Sequence, residues 1–159
     1  MKYLKLQQDL LKAADARDGW KHKFFDYPYF VDNNGDLWVC PKGLYIIKIA
    51  HRHRYIDVSM VFDAPSIRAD KILDDSNATD AVYTHKITIT DNKMKLHTFM
   101  VGDEVVYLDE DLLRYFDLEN STFKGTNRKS PIFIYEDEEL VGVVLSVNHI
   151  EKEDDDAGN

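Results

Sequence analysis

The chain predicts an α+β domain: two short helices packed with two antiparallel sheets. Three observations lead there. Short apolar or alternating stretches follow one another with only tight polar turns between them. Such turns join antiparallel neighbours, and little chain is left for the long crossovers that parallel strands need. Apolar residues recur at helical spacing at the start and again past Asp109.

The first helix is expected over residues 2–17. Leu4, Leu11 and Ala14 share one side with Leu6, Leu10 and Ala13, while Lys5, Gln8, Lys12 and Asp15 run down a polar face. Gly19 stands where a terminator belongs. Residues 27–31 and 37–40 read as strands joined by Asp32-Asn33-Asn34-Gly35-Asp36, a hairpin signal. After the turn Pro41-Lys42-Gly43 come strands over 44–50 and 55–62, the latter with Ile56, Val58 and Met60 alternating. A short helix over 64–73 has Pro65 near its start, and 74–80 is a polar loop.

The second half repeats this flavour. Residues 81–90, 93–101 and 105–108 read as strands separated by Asp91-Asn92 and Gly102-Asp103. A helix starting at Asp109 runs through Leu112, Leu113 and Phe116. After a polar break, residues 131–135 and 140–147 close the chain as a hairpin across Glu136-Asp137-Glu138-Glu139. Leu11, Trp38, Ile46, Ile56, Phe133 and Val143 occupy the apolar phase of strong segments and are expected to be buried. Residues 1–150 form one domain in this reading, and 151–159 an acidic, disordered tail.

That order of elements resembles one domain of the DNA sliding clamp family. The resemblance is carried by the opening helix ending near Arg17 and by Gly35-Asp36-Leu37-Trp38-Val39-Cys40 with Gly43-Leu44. It is carried further by Val106-Tyr107-Leu108-Asp109 with its helix, and by the closing strands from Ser130 to Tyr135 and from Val141 to Val147. It spans most of residues 1–148. It implies clamp-domain-like, pseudo-duplicated βαβββ units, and a place in DNA metabolism as a phage or mobile-element accessory protein. The chain departs from the family in two ways. A clamp ring contains six such domains and this chain has room for one. Clamp helices are basic towards DNA, whereas the second helix here brings Asp109, Glu110 and Asp111 against Arg114.

Composition bounds the rest. At 159 residues with 44% hydrophobic and 12% aromatic residues, the chain is globular rather than disordered. The longest nearly apolar run, 140–147, is too short to span a bilayer, so no membrane partner is expected. The start of the chain lacks the apolar stretch and cleavage site of a signal peptide. One cysteine, Cys40, forms no internal disulfide, which suits a soluble protein of a reducing cytoplasm. Two Asn-x-Ser/Thr sequons, at Asn77 and Asn120, are read as chance. Net charge is −9; five acids against Lys152 leave the tail at −4 and residues 1–150 at −5. An acidic body argues against avid, non-specific DNA binding.

The candidate chemistry is thin. His51-Arg52-His53-Arg54, if extended, places two imidazoles on one face, the beginning of a zinc or nickel site. No further ligand pattern accompanies them, and the cluster reads as a polar turn. A nucleic-acid face would be assembled from Lys5, Lys12, Lys21, Lys23, Arg52 and Arg54, with Phe24 and Phe25 for stacking; a solvated charge cluster beside core aromatics is the plainer alternative. Cys40 at a strand end reads as a small buried hydrophobe. Glu136 to Glu139 and Asp74-Asp75 read as solvated turn charges, and residues 123–129 as a basic surface loop. No Gly-x-Ser-x-Gly, phosphate-binding Gly-rich loop or calcium-loop pattern occurs. No catalytic residue, metal ligand, cofactor or small-molecule substrate is therefore assigned. The chain reads as a non-enzymatic binding or assembly protein with a protein partner or itself as partner, and DNA only weakly. Its alternatives are an acidic inhibitor or DNA mimic, and a small enzyme with a site built from distant residues.

Overall fold

The structure, a computed structural model, describes residues 1–15, 29–32, 34–40, 45–55 and 72–150. Its elements are α1 (Tyr3–Asp15), β1 (Tyr29–Val31), β2 (Leu37–Val39), β3 (Tyr45–Ile49), a 3₁₀ turn (His51–His53), β4 (Thr79–Ile89), β5 (Lys95–Val101), β6 (Glu104–Asp109), α2 (Glu110–Leu113), β7 (Thr122–Gly125), β8 (Ile132–Glu136) and β9 (Glu139–Val144). The α+β class and the antiparallel pairing are as the sequence predicts. The expected strand over 55–62, the helix over 64–73 and Ile56 lie largely or wholly outside the described residues. So does Gly19.

The two expected sheets are one. Among the described residues nine strands form a single ladder in the order β1-β2-β3-β9-β8-β7-β4-β5-β6, and every described pair is antiparallel. The ladder curls instead of splitting. Just past β9, the Val147 N–H donates to the Tyr107 carbonyl of β6 at 2.8 Å, so the two ends of β9-β8-β7-β4-β5-β6 meet. Inside the curl lies the main core, with Phe99, Val106, Leu108, Ile132, Ile134 and Val144 at its centre. α1 closes it with Leu6 and Leu10, one turn apart on one face, and α2 with Leu112 and Leu113. The opposite face of β2, β3, β8 and β9 carries a second cluster of Trp38, Ile46, Phe133, Tyr135 and Val143. Four of the six residues expected in the core fall in that cluster, whereas Leu11 is only half-buried at the border of the first.

Local chemistry sets the ends. Asp109 caps α2 by accepting from the Asp111 N–H at 3.0 Å, at the position the sequence predicts. The helix stops at Leu113, short of Phe116, where the chain tightens into a turn closed by Phe116 N–H to the Leu113 carbonyl. β7 overlaps residues 123–129, which read in the sequence as a basic surface loop. Pairing on both sides, with β4 and β8, makes it a strand. Gly125 is closely packed there: a Cβ would sit 2.7 Å from Ile132 Cδ1 and 3.0 Å from Val101 Cγ2, so those side chains would have to move. Among the described residues, no helix is long and apolar enough to cross a membrane.

Candidate functional site

Of the six cations expected to form a nucleic-acid face, four lie among the described residues. Lys5 and Lys12 are exposed on α1, about two turns apart. Arg52 lies within the 3₁₀ turn and Arg54 just after it; the backbone at 51–53 is thus not the extended one expected. Arg52 points its guanidinium at Glu139 (3.6 Å) and donates from Nε to His53 at 3.2 Å. Arg54 donates to the Gly35 carbonyl at 2.9 Å. Lys21 and Lys23 lie outside the described residues. What the fold does bring together is α1 and the 3₁₀ turn. The buried Gln7 side chain donates to the His53 carbonyl (2.8 Å) and accepts from the Tyr55 N–H (2.9 Å), while Tyr3 stacks on His53 at 4.5 Å. Lys2 and Lys5 line the hollow beside Tyr3, His53 and Tyr55.

The turn carboxylates are structural here. Glu139 takes the buried Lys48 ammonium at 3.3 Å as well as Arg52, and Glu136 accepts from the Asp117 N–H at 3.4 Å. The Tyr135 hydroxyl donates to Asp75, and its burial followed by that carboxylate pushes the phenol well above its ordinary range.

A cluster absent from the sequence reading lies at a bulge in β4. The ladder pairs Tyr83 with Phe99 but Ile87 with His97, so β4 carries two extra residues in between. Thr84 holds the bulge: its hydroxyl donates to the Thr98 carbonyl (2.8 Å) and accepts from the Lys86 N–H (3.3 Å). His85 takes φ +60°, a left-handed conformation that favours glycine. Its ring packs 4.5 Å from that of Tyr83, and its Nδ1 lies 3.5 Å from Glu119. Tyr83 in turn has its hydroxyl 2.8 Å from Nδ1 of the buried His97. On the far side of that imidazole, Nε2 is buried without a hydrogen bond, 3.6 Å from Glu110, which also faces Lys95 at 3.4 Å. Burial raises the Tyr83 phenol above its ordinary range, helped by Glu119 and Glu110. The result is a Tyr83–His97 hydrogen bond with Glu110 just beyond bonding distance of the imidazole, beside a groove of about 470 Å³ where β4 and the segment 118–123 diverge. Among the described residues, no group of three His, Cys, Asp or Glu side chains converges to hold a metal ion. A sequence signal did exist. In an unbulged hairpin the Tyr83–Phe99 register would place His85 directly opposite His97.

Beyond the bulge, β4 and β5 continue as a hairpin arm, buried on the β5 side at Leu96 and His97. β7 pairs with β4 only at Thr79, Asp80 and Ala81, and among the described residues no strand lies along β4 from Val82 to Ile89 on its other edge. Ile87 and Ile89 are 46% and 66% exposed, and Val82 63%. The register puts Ile87 and Ile89 on the same face as His97 and Lys95, the face that bears Phe99 nearer the body. They continue the inward apolar phase of the sheet past the point where a core covers it.

Comparison with known protein families, curated proteins and solved structures finds no match to this chain. Function is therefore read from these side chains.

Proposed function

We propose that this chain is a non-enzymatic binding and assembly protein that takes its protein partner along the open edge of β4. One observation carries the reading: past Ala81, where its pairing with β7 ends, β4 bears exposed isoleucines at Ile87 and Ile89 in the inward phase. An uncovered edge offers backbone N–H and C=O groups to any extended segment, and alternate side chains give it selectivity. The wider setting we propose is that of a clamp-like accessory domain of DNA metabolism, of the phage or mobile-element kind. It works in a reducing cytoplasm, and its two halves are related as duplicated units. That setting rests on the sequence segments from Val106 to Asp109 and from Ser130 to Val147.

Selection of a displayed random heptapeptide library on the full chain tests the edge. Extended, β-branched segments are expected to enrich on the wild type, and enrichment is expected to vanish on I87K/I89K. Enrichment indifferent to those substitutions removes the reading. DNA is a weak ligand in this proposal. Arg52 already faces Glu139, and the net charge of −9 repels a polyanion. Tight binding with a steep salt dependence, about −0.9 in log–log slope per phosphate neutralised on duplex DNA, would promote a clamp role instead.

One observation favours a second reading, a small enzyme: the Tyr83–His97–Glu110 chain beside its groove. Proton transfer through positioned side chains is ordinary enzyme chemistry. Its mark would be a substrate-dependent activity lost in both Tyr83→Phe and His97→Gln with the fold intact.

A further inference from the structure

We infer that Asn34 is a site of spontaneous covalent modification, and that its conversion to isoaspartate opens the turn between β1 and β2. Asn34 is exposed, and its side-chain amide has no hydrogen-bond partner among the described residues. Gly35 follows it, and the nitrogen of the following residue is the nucleophile in this chemistry. That nitrogen gives its proton to hydroxide or a buffer base and attacks Cγ of Asn34. The new C–N bond closes a five-membered succinimide. The bond from Cγ to the side-chain nitrogen breaks, and ammonia leaves with a proton from water. Water then opens the ring at either carbonyl, giving aspartate or isoaspartate. Nothing is oxidised or reduced.

Four other asparagines isolate what is special here. At Asn120 the side-chain amide donates to Asp117 (2.8 Å), and at Asn127 it accepts from the Lys129 N–H (2.9 Å). Asn77 and Asn92 are exposed like Asn34. The N–H after each of these three is tied back by a similar bond: Gly35 to the Asp32 carbonyl (3.0 Å), Ala78 to Asp75 (2.9 Å) and Lys93 to Thr90 (2.8 Å). The restraint is therefore shared, and the difference is the Cβ that shields the nitrogen of Ala78 and Lys93 and is absent from Gly35. The turn itself holds the glycine in place, at φ +78°. Its consequence follows from Asp32. One carboxylate oxygen accepts from the N–H groups of both Asn34 (2.8 Å) and Asp36 (3.0 Å), and the other from Trp38 Nε1 (3.0 Å). Isoaspartate routes the backbone through one more carbon between those two N–H groups, so the pair no longer fits one oxygen. It also displaces the Gly35 carbonyl that takes Arg54 at 2.9 Å.

Incubation of the folded full chain in mildly alkaline buffer, followed by peptide mass spectrometry with fragment ions that separate Asn33 from Asn34, tests this. Asn34 is expected to convert at least ~10-fold faster than Asn77 and Asn92, with isoaspartate the larger product. Asn34→Gln, whose longer side chain disfavours the five-membered ring, is expected to abolish conversion at 34 and leave the other sites unchanged. In the converted chain, amide exchange followed by nuclear magnetic resonance is expected to quicken at least ~10-fold at Asp36. Asn34→Asp carries the new charge without the extra backbone carbon and is expected to exchange there like the wild type. Conversion at Asn34 no faster than at Asn77 and Asn92 overturns the inference, and so does aspartate as its sole product. Unchanged exchange at Asp36 in the converted chain removes the opening of the turn. Exchange as fast in Asn34→Asp as in the converted chain overturns the role given to isoaspartate.

Discussion

Strands β3 and β4 look alike in sequence and have opposite fates. Tyr45-Ile46-Ile47-Lys48-Ile49 is buried at all five positions, whereas of the eleven residues of β4 only Ala81 is. The difference is in what covers them. β3 lies between β2 and β9, with the main core on one face and the Trp38 cluster on the other. β4 has β5 along its length but β7 for three residues only. Even the charge in β3 is enclosed. The Lys48 ammonium sits between Glu139 (3.3 Å) and Asp36 (3.8 Å), 5.8 Å from the Trp38 ring centre. A strand's apolar phase thus records which face turns inward, and the neighbouring layers decide whether anything meets it.

The sharpest break of the comparison is at Gly142, where β9 crosses beneath Phe116. A Cβ there would overlap the Phe116 ring and stand 3.1 Å from the Ile46 carbonyl oxygen. Gly142→Ala is expected to cost about 3 kcal/mol, at the upper end for overpacking because backbone limits the escape. Urea unfolding measures it. Phe116→Leu in the same chain is expected to recover part of the loss, since the ring is the nearer obstacle. A loss under ~0.5 kcal/mol, the range of ordinary surface substitutions, would mean that β9 is no better packed than the arm.

Next in size is Lys48. Lys48→Ala removes the cation and its packed stem, leaving Asp36 and Glu139 facing each other; about 2–3 kcal/mol is expected. Lys48→Met keeps the stem and is expected to lie within about 1 kcal/mol of the wild type, because Glu139 is half exposed and regains solvent. Equal losses in the two variants would show that charge, not packing, holds β3 in place.

The body was far more legible in the sequence than the candidate site. Leu6 and Leu10 betray α1, Asp109 marks the start of α2, and Trp38, Ile46, Phe133 and Val143 are the core of a face. Each of these signals is local in the chain or tied to a fixed period. β7 escaped because its evidence is held by its neighbours: Phe123 is its one large apolar residue, and Gly125 reads as a turn until Ile132 and Val101 are placed against it. The Tyr83–His97–Glu110 chain escaped for a related reason. Its members lie on two strands and a helix, and a two-residue bulge, invisible in the alternation of residues 81–90, brings them into contact. Of the six cations, Lys5, Lys12, Arg52 and Arg54 lie among the described residues. A nucleic-acid role required them to share a face; at the 3₁₀ turn His51–His53 Arg52 turns to Glu139, and Arg54 just after it to Gly35.

Alkali sharpens the same contrast, by a smaller amount. In the body, burial lifts the Tyr3 phenol to about 12, with Glu136 adding to it; burial lifts Tyr115 to about 12, with the hydrogen bond to Asp9 adding to it. Both exceed the unfolded value near 10, so the fold favours the neutral rings. That stability is fully present below pH 10 and is lost as pH rises through about 12. Melting temperatures are expected to fall steadily from pH 10 to pH 12, and Tyr115→Phe to fall less steeply. A Tyr115→Phe variant with the wild-type slope would place the titrating groups elsewhere.

The smallest expected effect has the opposite sign and belongs to the arm. His85 and Lys93 both hold left-handed backbone, at φ 60° and 62°. A residue with a Cβ pays roughly 1–2 kcal/mol there, and glycine returns about half of that through its extra freedom in the unfolded chain. Lys93→Gly, at the hairpin tip, is therefore expected to stabilise by about 0.5–1 kcal/mol. It serves as the reference for His85→Gly, which relieves the same backbone but deletes the ring against Tyr83 and the partner of Glu119. The His85 and Glu119 side chains are 63% and 71% exposed, a setting in which an ion pair contributes little. Equal gains in thermal stability for the two variants would show that the imidazole does nothing for the fold and is held in a strained conformation for another reason, the one the groove at the bulge supplies. A smaller gain, or a loss, at His85 would make the ring contact itself the reason, and the bulge a device for packing Tyr83.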